Sequence, residues 1–77
     1  MKKIELWDED NKYIWGNLKD DGKVELWDSE NNYIWGNITG ENIQLWDKDN
    51  NYIRGNLNET NIQLWDKDNK YIWGNLR

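Results

Sequence analysis

Leu6-Trp7-Asp8-Glu9-Asp10-Asn11-Lys12-Tyr13-Ile14-Trp15-Gly16-Asn17 reads as two short runs flanking a polar turn. The runs are rich in aromatic and β-branched residues and too short for a helix of ordinary length, so each reads as a strand. Asp8 at the first turn position and Asn11 at the fourth suit a type I turn closed by a left-handed residue, the three-residue hairpin loop with a bulge. Asn is, after Gly, the residue that best tolerates positive φ. This loop sets a register with Asp8 opposite Lys12, Trp7 opposite Tyr13, Leu6 opposite Ile14, Glu5 opposite Trp15 and Ile4 opposite Gly16. A slip of one residue would turn every side chain to the other face, so the register decides which residues meet.

The pattern Leu-Trp-Asp-x-x-Asn-x-Tyr-Ile-x-Gly-Asn occurs four times, with its Trp at Trp7, Trp27, Trp46 and Trp65 and its Tyr at Tyr13, Tyr33, Tyr52 and Tyr71. Both series step by 20, 19 and 19 residues, and the turn Asn recurs as Asn31, Asn50 and Asn69. The chain is therefore read as one domain of four β-hairpin repeats, at about 4–23, 24–42, 43–61 and 62–77. Between repeats, Thr39-Gly40-Glu41-Asn42 suits a two-residue loop with Gly first, pairing Ile38 with Ile43, Gly36 with Leu45 and Trp35 with Trp46. Asn58-Glu59-Thr60-Asn61 would pair Leu57 with Ile62 and Arg54 with Trp65. The longer Asp20-Asp21-Gly22 link reads as another bulged loop, pairing Leu18 with Val24 and Trp15 with Trp27, so the extra residue is absorbed by a change of turn type.

The expected product is an eight-stranded antiparallel meander with two unlike faces. Ile4, Leu6, Ile14, Leu18 and their copies share one face with Gly16, Gly36, Gly55 and Gly74. Every Trp and Tyr, Arg54 and a set of Glu, Gln and Asn share the other. An open sheet would leave two raw edges. The register shifts by two residues per hairpin, about eight residues in all, which is the stagger of a closed eight-strand barrel tilted by ~36°. Closure would pair Trp73 with Trp7 and Leu76 with Ile4. Sixteen aliphatic side chains and four glycines can fill such a barrel, whereas eleven Trp and Tyr cannot. The fold expectation is thus an all-β, small up-and-down β-barrel with the Ile and Leu face inside. An open sheet or hairpin solenoid stacked on a second chain is the alternative.

Composition narrows the chemistry. Of 77 residues none is Cys, His, Pro or Phe, while seven are Trp and four are Tyr. Without Cys or His there is no disulfide framework, no zinc site of the usual kind and no Cys-His or Ser-His nucleophile pair. A net charge of −5 argues against binding nucleic acid or an anionic membrane surface. Glu5 interrupts the basic start, so the expectation is a soluble chain with no signal peptide and no membrane insertion, its compartment open. The acidic turns lack the Gly and downstream Glu of an EF-hand, so neither a metal nor another cofactor is expected. Glu5 and Glu25 become Gln44 and Gln63 in the later copies, which removes the carboxylate pair a glycoside hydrolase needs, and no catalytic residue is assigned.

The register instead points to the junctions between repeats. Trp15 and Trp27 lie beside Asn17 and Glu25, and Trp35 and Trp46 lie beside Asn37 and Gln44. Arg54, Asn56, Gln63 and Trp65 form a third group, and closure would assemble a fourth from Trp73, Asn75, Glu5 and Trp7. A flat ring beside amides or carboxylates suits a sugar, whose C–H face packs on the indole while its hydroxyls need donors and acceptors. Carbohydrate recognition of a lectin-like kind, by a non-enzymatic module, is the functional expectation, with a glycan or other flat small ligand as partner. The alternative is a protein-interaction or self-assembling module, a small inhibitor or a duplicated or designed scaffold, with the belt as interface and a homo-oligomer as its simplest form. Arg54 is expected to stack on Trp65 by cation–π attraction.

In period and aromatic content the chain resembles the short aromatic hairpin repeats of choline-binding and clostridial-toxin cell-wall modules, which bind choline or sugars between neighbouring hairpins. The Gly-Trp and Tyr-Tyr signatures of those repeats are absent here, so no site residue is carried across.

Overall fold

A computed structural model describes the whole chain, Met1–Arg77. Eight strands follow one another: β1 Lys2–Trp7, β2 Tyr13–Leu18, β3 Lys23–Trp27, β4 Tyr33–Thr39, β5 Asn42–Trp46, β6 Tyr52–Asn58, β7 Asn61–Trp65 and β8 Tyr71–Leu76. Each pairs antiparallel with its sequence neighbour, and β8 returns to β1, closing the sheet as a barrel. No helix is present that could cross a membrane.

The turn chemistry explains the register. Asn11, Asn31, Asn50 and Asn69 hold φ between 64 and 69°. In each turn the Asn amide donates to the carbonyl of the Asp three residues earlier at 3.0 Å. The Asp carboxylate fastens the same loop: Asp47 Oδ1 accepts from the amides of Asp49 and Asn51, both at 2.9 Å. Trp7 consequently faces Tyr13 and Ile4 faces Gly16, with the matching pairs in the other three hairpins. Gly22 and Gly40 take positive φ, 91° and 62°, where the first two links require it. Glu59, at the place corresponding to Gly40, is forced to 59° despite its side chain. The links pair Trp15 with Trp27, Trp35 with Trp46 and Arg54 with Trp65.

Closure follows from the same arithmetic of stagger. Ile4 pairs with Leu76 and Trp7 with Trp73 across the seam. A repeated bond extends the ladder of each later hairpin: the link before it offers a carbonyl to its far end, Gly22 to the Ile38 amide at 2.9 Å, Glu41 to Leu57 and Thr60 to Leu76, both at 2.8 Å. At the seam Lys3 and Arg77 exchange two such bonds, at 3.1 and 2.7 Å.

The aliphatic face is inside. Thirteen Ile, Leu and Val side chains form one buried cluster, with Leu6, Leu26, Leu45 and Leu64 as its most enclosed layer. Leu18, Ile38 and Leu57 are only partly buried, because with Leu76 they floor an open hollow at the end of the barrel where the links lie. The interior-facing glycines have a steric role. A Cβ on Gly16 would fall on the carbonyl oxygen of Glu25, and Gly36, Gly55 and Gly74 meet Gln44, Gln63 and Glu5 in the same way. Strands can coil tightly enough to close this small a barrel only where no Cβ stands between them.

Candidate functional site

Alternation along each strand sends every Trp and Tyr outward, and their rings organise within hairpins. Tyr13 lies between two indoles, tilted by 42° against Trp7 across the strand pair and stacked at 14° on Trp15 along its own strand, each with centroids 5.6 Å apart. Trp27-Tyr33-Trp35 and Trp65-Tyr71-Trp73 repeat the triad. In the third hairpin Trp46 and Tyr52 remain paired, and Arg54 stands where the stacked indole would be. The rings are half-exposed; Tyr13, Tyr33 and Tyr52 keep 39–40% of their surface open to solvent. Such a row of rings braces a barrel whose interior is small, because cross-strand aromatic pairs contribute roughly 0.2–1 kcal/mol each.

Between the rings run clefts at equivalent places. The largest, about 620 Å³, lies on β3, β4 and β5 and joins Tyr33, Trp35 and Asn37 to Glu25 on one side and Trp46 on the other. A second of about 290 Å³ joins Tyr52, Arg54 and Asn56 to Gln44 and Trp65, and a third of about 190 Å³ joins Tyr71, Trp73 and Asn75 to Gln63. The expected junction pairs are all present in the register, including Trp73 with Trp7 and Asn75 with Glu5. Their grouping differs by one strand. Trp35 and Asn37 share a cleft with Glu25 of the preceding strand, whereas Gln44, their partner across the next junction, lines the following cleft with Arg54. The tyrosines, left out by a junction-only reading, line all three clefts. Their signal is the two-residue alternation that puts Tyr33 and Trp35 on one face.

In the largest cleft the polar groups are tied together. The Tyr33 hydroxyl donates to Glu25 Oε1 at 3.1 Å, and Lys19 Nζ lies 3.2 Å from Glu25 Oε2. Desolvation of the phenol against its neighbours raises the Tyr33 pKa, helped by the hydrogen bond to Glu25 and by its charge, while Lys19 opposes the shift. Lys19 belongs to the longer first link, so sequence periodicity could not have placed it here. In the first hairpin Glu5 is instead paired with Arg77, Oε1 to Nη2 at 3.2 Å. Arg54 departs from its expected cation–π role: it is the register partner of Trp65, but its guanidinium reaches along the surface and Nη2 donates to Asn69 Oδ1 at 3.3 Å. A long, flexible side chain reaches the acceptor at the neighbouring turn more readily than it lies flat on the ring.

The turn carboxylates of Asp8, Asp28, Asp47 and Asp66 each accept two backbone amides, and no three carboxylates converge as a metal site would require. Comparison with protein-family models, with characterised proteins and with solved structures finds no match for the chain.

Proposed function

We propose that this chain is a non-enzymatic binding module whose aromatic belt recognises carbohydrate. The observation that carries the reading is the cleft itself: a stacked Tyr33 and Trp35, 5.7 Å between centroids, open onto the same recess as the Glu25 carboxylate and the Asn37 amide. Indole and phenol faces accept the C–H face of a pyranose, and a carboxylate and an amide accept from and donate to its hydroxyls. A recess of about 620 Å³ falls within the range of small-molecule sites. Related clefts lie at equivalent places on the next two hairpins, with Gln44 and Arg54 in one and Gln63 with the Tyr71 and Trp73 stack in the other, so a repetitive glycan would engage several weak clefts at once and gain avidity without any single tight site.

The exposure of Tyr13, Trp15, Tyr33 and Tyr52 favours a second reading, in which the belt is an interface with a second copy or with another protein. One pair of measurements separates the two. Intrinsic Trp fluorescence is titrated against a glycan panel while sedimentation velocity reports the association state. A monomer whose emission changes saturably with one glycan class supports the carbohydrate reading. Spectra unmoved by every glycan overturn it, and a tight oligomer whose emission shifts red on dissociation supports the interface.

A further inference from the structure

We infer that the cleft built on β5, β6 and β7 selects the anionic substituent of an acidic sugar, a carboxylate or a sulfate, through the Arg54 guanidinium. This rests on the carbohydrate reading of the belt and names the ligand class of one of its clefts.

The third hairpin carries a cation where the other three carry an indole. Position 54 corresponds to Trp15, Trp35 and Trp73 of the other hairpins. In the first two hairpins the residue opposite that indole is an acid, Glu5 facing Trp15 and Glu25 facing Trp35. Had an acid been kept opposite Arg54, the two would form an ordinary cross-strand ion pair, and the charge would be consumed in stabilising the sheet. The chain places Gln44 there instead, as it places Gln63 opposite Trp73 in the fourth hairpin, so only in the third does a cation face a neutral amide. Both changes move the local charge in the positive direction.

The ion pairs of the protein are made by the Met1 amine and by Lys19, Lys48 and Arg77, and Arg54 is in none of them. One of its nitrogens donates to Asn69 at 3.3 Å, leaving further donors of the planar fork unused. The recess it borders, about 290 Å³, has no acidic residue in its lining, whose polar and aromatic members include Gln44, Tyr52, Asn56 and Trp65. By contrast, the recess beside Trp35 holds a carboxylate that already engages the nearby Lys19. A carboxylate or sulfate oxygen pair fits the guanidinium fork, and the ring bearing it packs on Trp65.

The net charge of −5 does not oppose this at physiological salt. Charges separated by more than about 8 Å of solvent are largely screened there, so the nearest charge decides.

The test uses tetragalacturonate, its methyl ester and a sulfated galactan tetrasaccharide, titrated calorimetrically against the wild-type chain, Arg54→Trp and Arg54→Lys. Arg54→Trp restores the residue of the other three hairpins, and its melting curve verifies the fold. The wild type is expected to bind at least one anionic saccharide about tenfold more tightly than the neutral ester at physiological salt, the scale of a charge-assisted contact. Added salt narrows the preference, Arg54→Lys keeps part of it, and Arg54→Trp abolishes it. A preference for the uronate alone assigns the cleft to carboxylates, and one for the galactan alone assigns it to sulfate esters. Equal binding of the acids and the ester, or a preference that survives in Arg54→Trp, overturns the inference while leaving the carbohydrate reading intact. Failure of all three saccharides to bind overturns the inference, and the glycan panel then decides the carbohydrate reading by itself.

Discussion

Gly74 lies so close to β1 that a Cβ added to it would fall on the carbonyl oxygen of Glu5. This is the seam at which the last strand meets the first, and the atom in the way is backbone, which has no rotamer to escape into. The relationship makes the missing side chain a condition of closure.

Gly74→Ala is therefore expected to destabilise the protein by about 1–3 kcal/mol or more, the cost of forcing an overpacked backbone apart. For a chain of this length, total stability is roughly 4–12 kcal/mol, so the loss is a large share. Gly40→Ala is the control. Gly40 has φ +62°, but nothing lies within 4 Å of an added Cβ. Its cost should be only the left-handed penalty, about 1 kcal/mol. Chemical denaturation of the two variants compares them, and equal losses would show that the seam contact does not matter.

Glu59 occupies a left-handed conformation, φ 59°, at the place where the preceding link has Gly40. Glu59→Gly relieves a strain of about 1–2 kcal/mol but adds unfolded-state freedom of about 0.4–1 kcal/mol. The net expectation is a gain of roughly 0.5–1 kcal/mol, read as a melting temperature several degrees higher. A lower melting temperature would mean that the Glu59 side chain contributes more than its backbone costs.

The raised pKa of Tyr33 sets a direction for alkaline stability. The folded state favours the protonated phenol, first because burial penalises the phenolate and next because Glu25 accepts its hydrogen bond and carries like charge. Its contribution is complete below the ordinary value of 10.0 and is lost as pH rises from there through the folded pKa. Tyrosinate absorbance of the folded protein should contain a component above pH 10 that Tyr33→Phe removes and Glu25→Gln moves downward. A titration unchanged by Glu25→Gln would contradict the contact.

Much of this arrangement could be read from residue order. The Asp8 and Asn11 turn chemistry, repeated four times, determines the register; the register determines the faces, and their stagger determines closure. Backbone periodicity carries all of these steps. The limit came with side-chain direction. Register states that Trp15 and Trp27 are opposite, yet Tyr13 stacks on Trp15 along its own strand. That lean is set by rotamer and packing, which strand alternation leaves open, and it shifts each cleft toward the preceding strand. The contacts of Lys19 and Arg54 lie beyond residue order for a related reason: long charged side chains reach acceptors such as Glu25 and Asn69, and neither contact follows from hydrophobic pattern.

Carbohydrate recognition by the belt requires that saccharide touch the indoles that border the clefts. Each of the seven Trp has one indole N–H, resolvable in a nitrogen–proton correlation spectrum. Titration with the tightest saccharide from the glycan panel is predicted to shift the resonances of Trp35, Trp46, Trp65 and Trp73 saturably while leaving the methyl signals of Leu6, Leu26, Leu45 and Leu64 in place. Indole resonances that stay fixed at saturating saccharide, or shifts that spread equally through the core leucines, would contradict it.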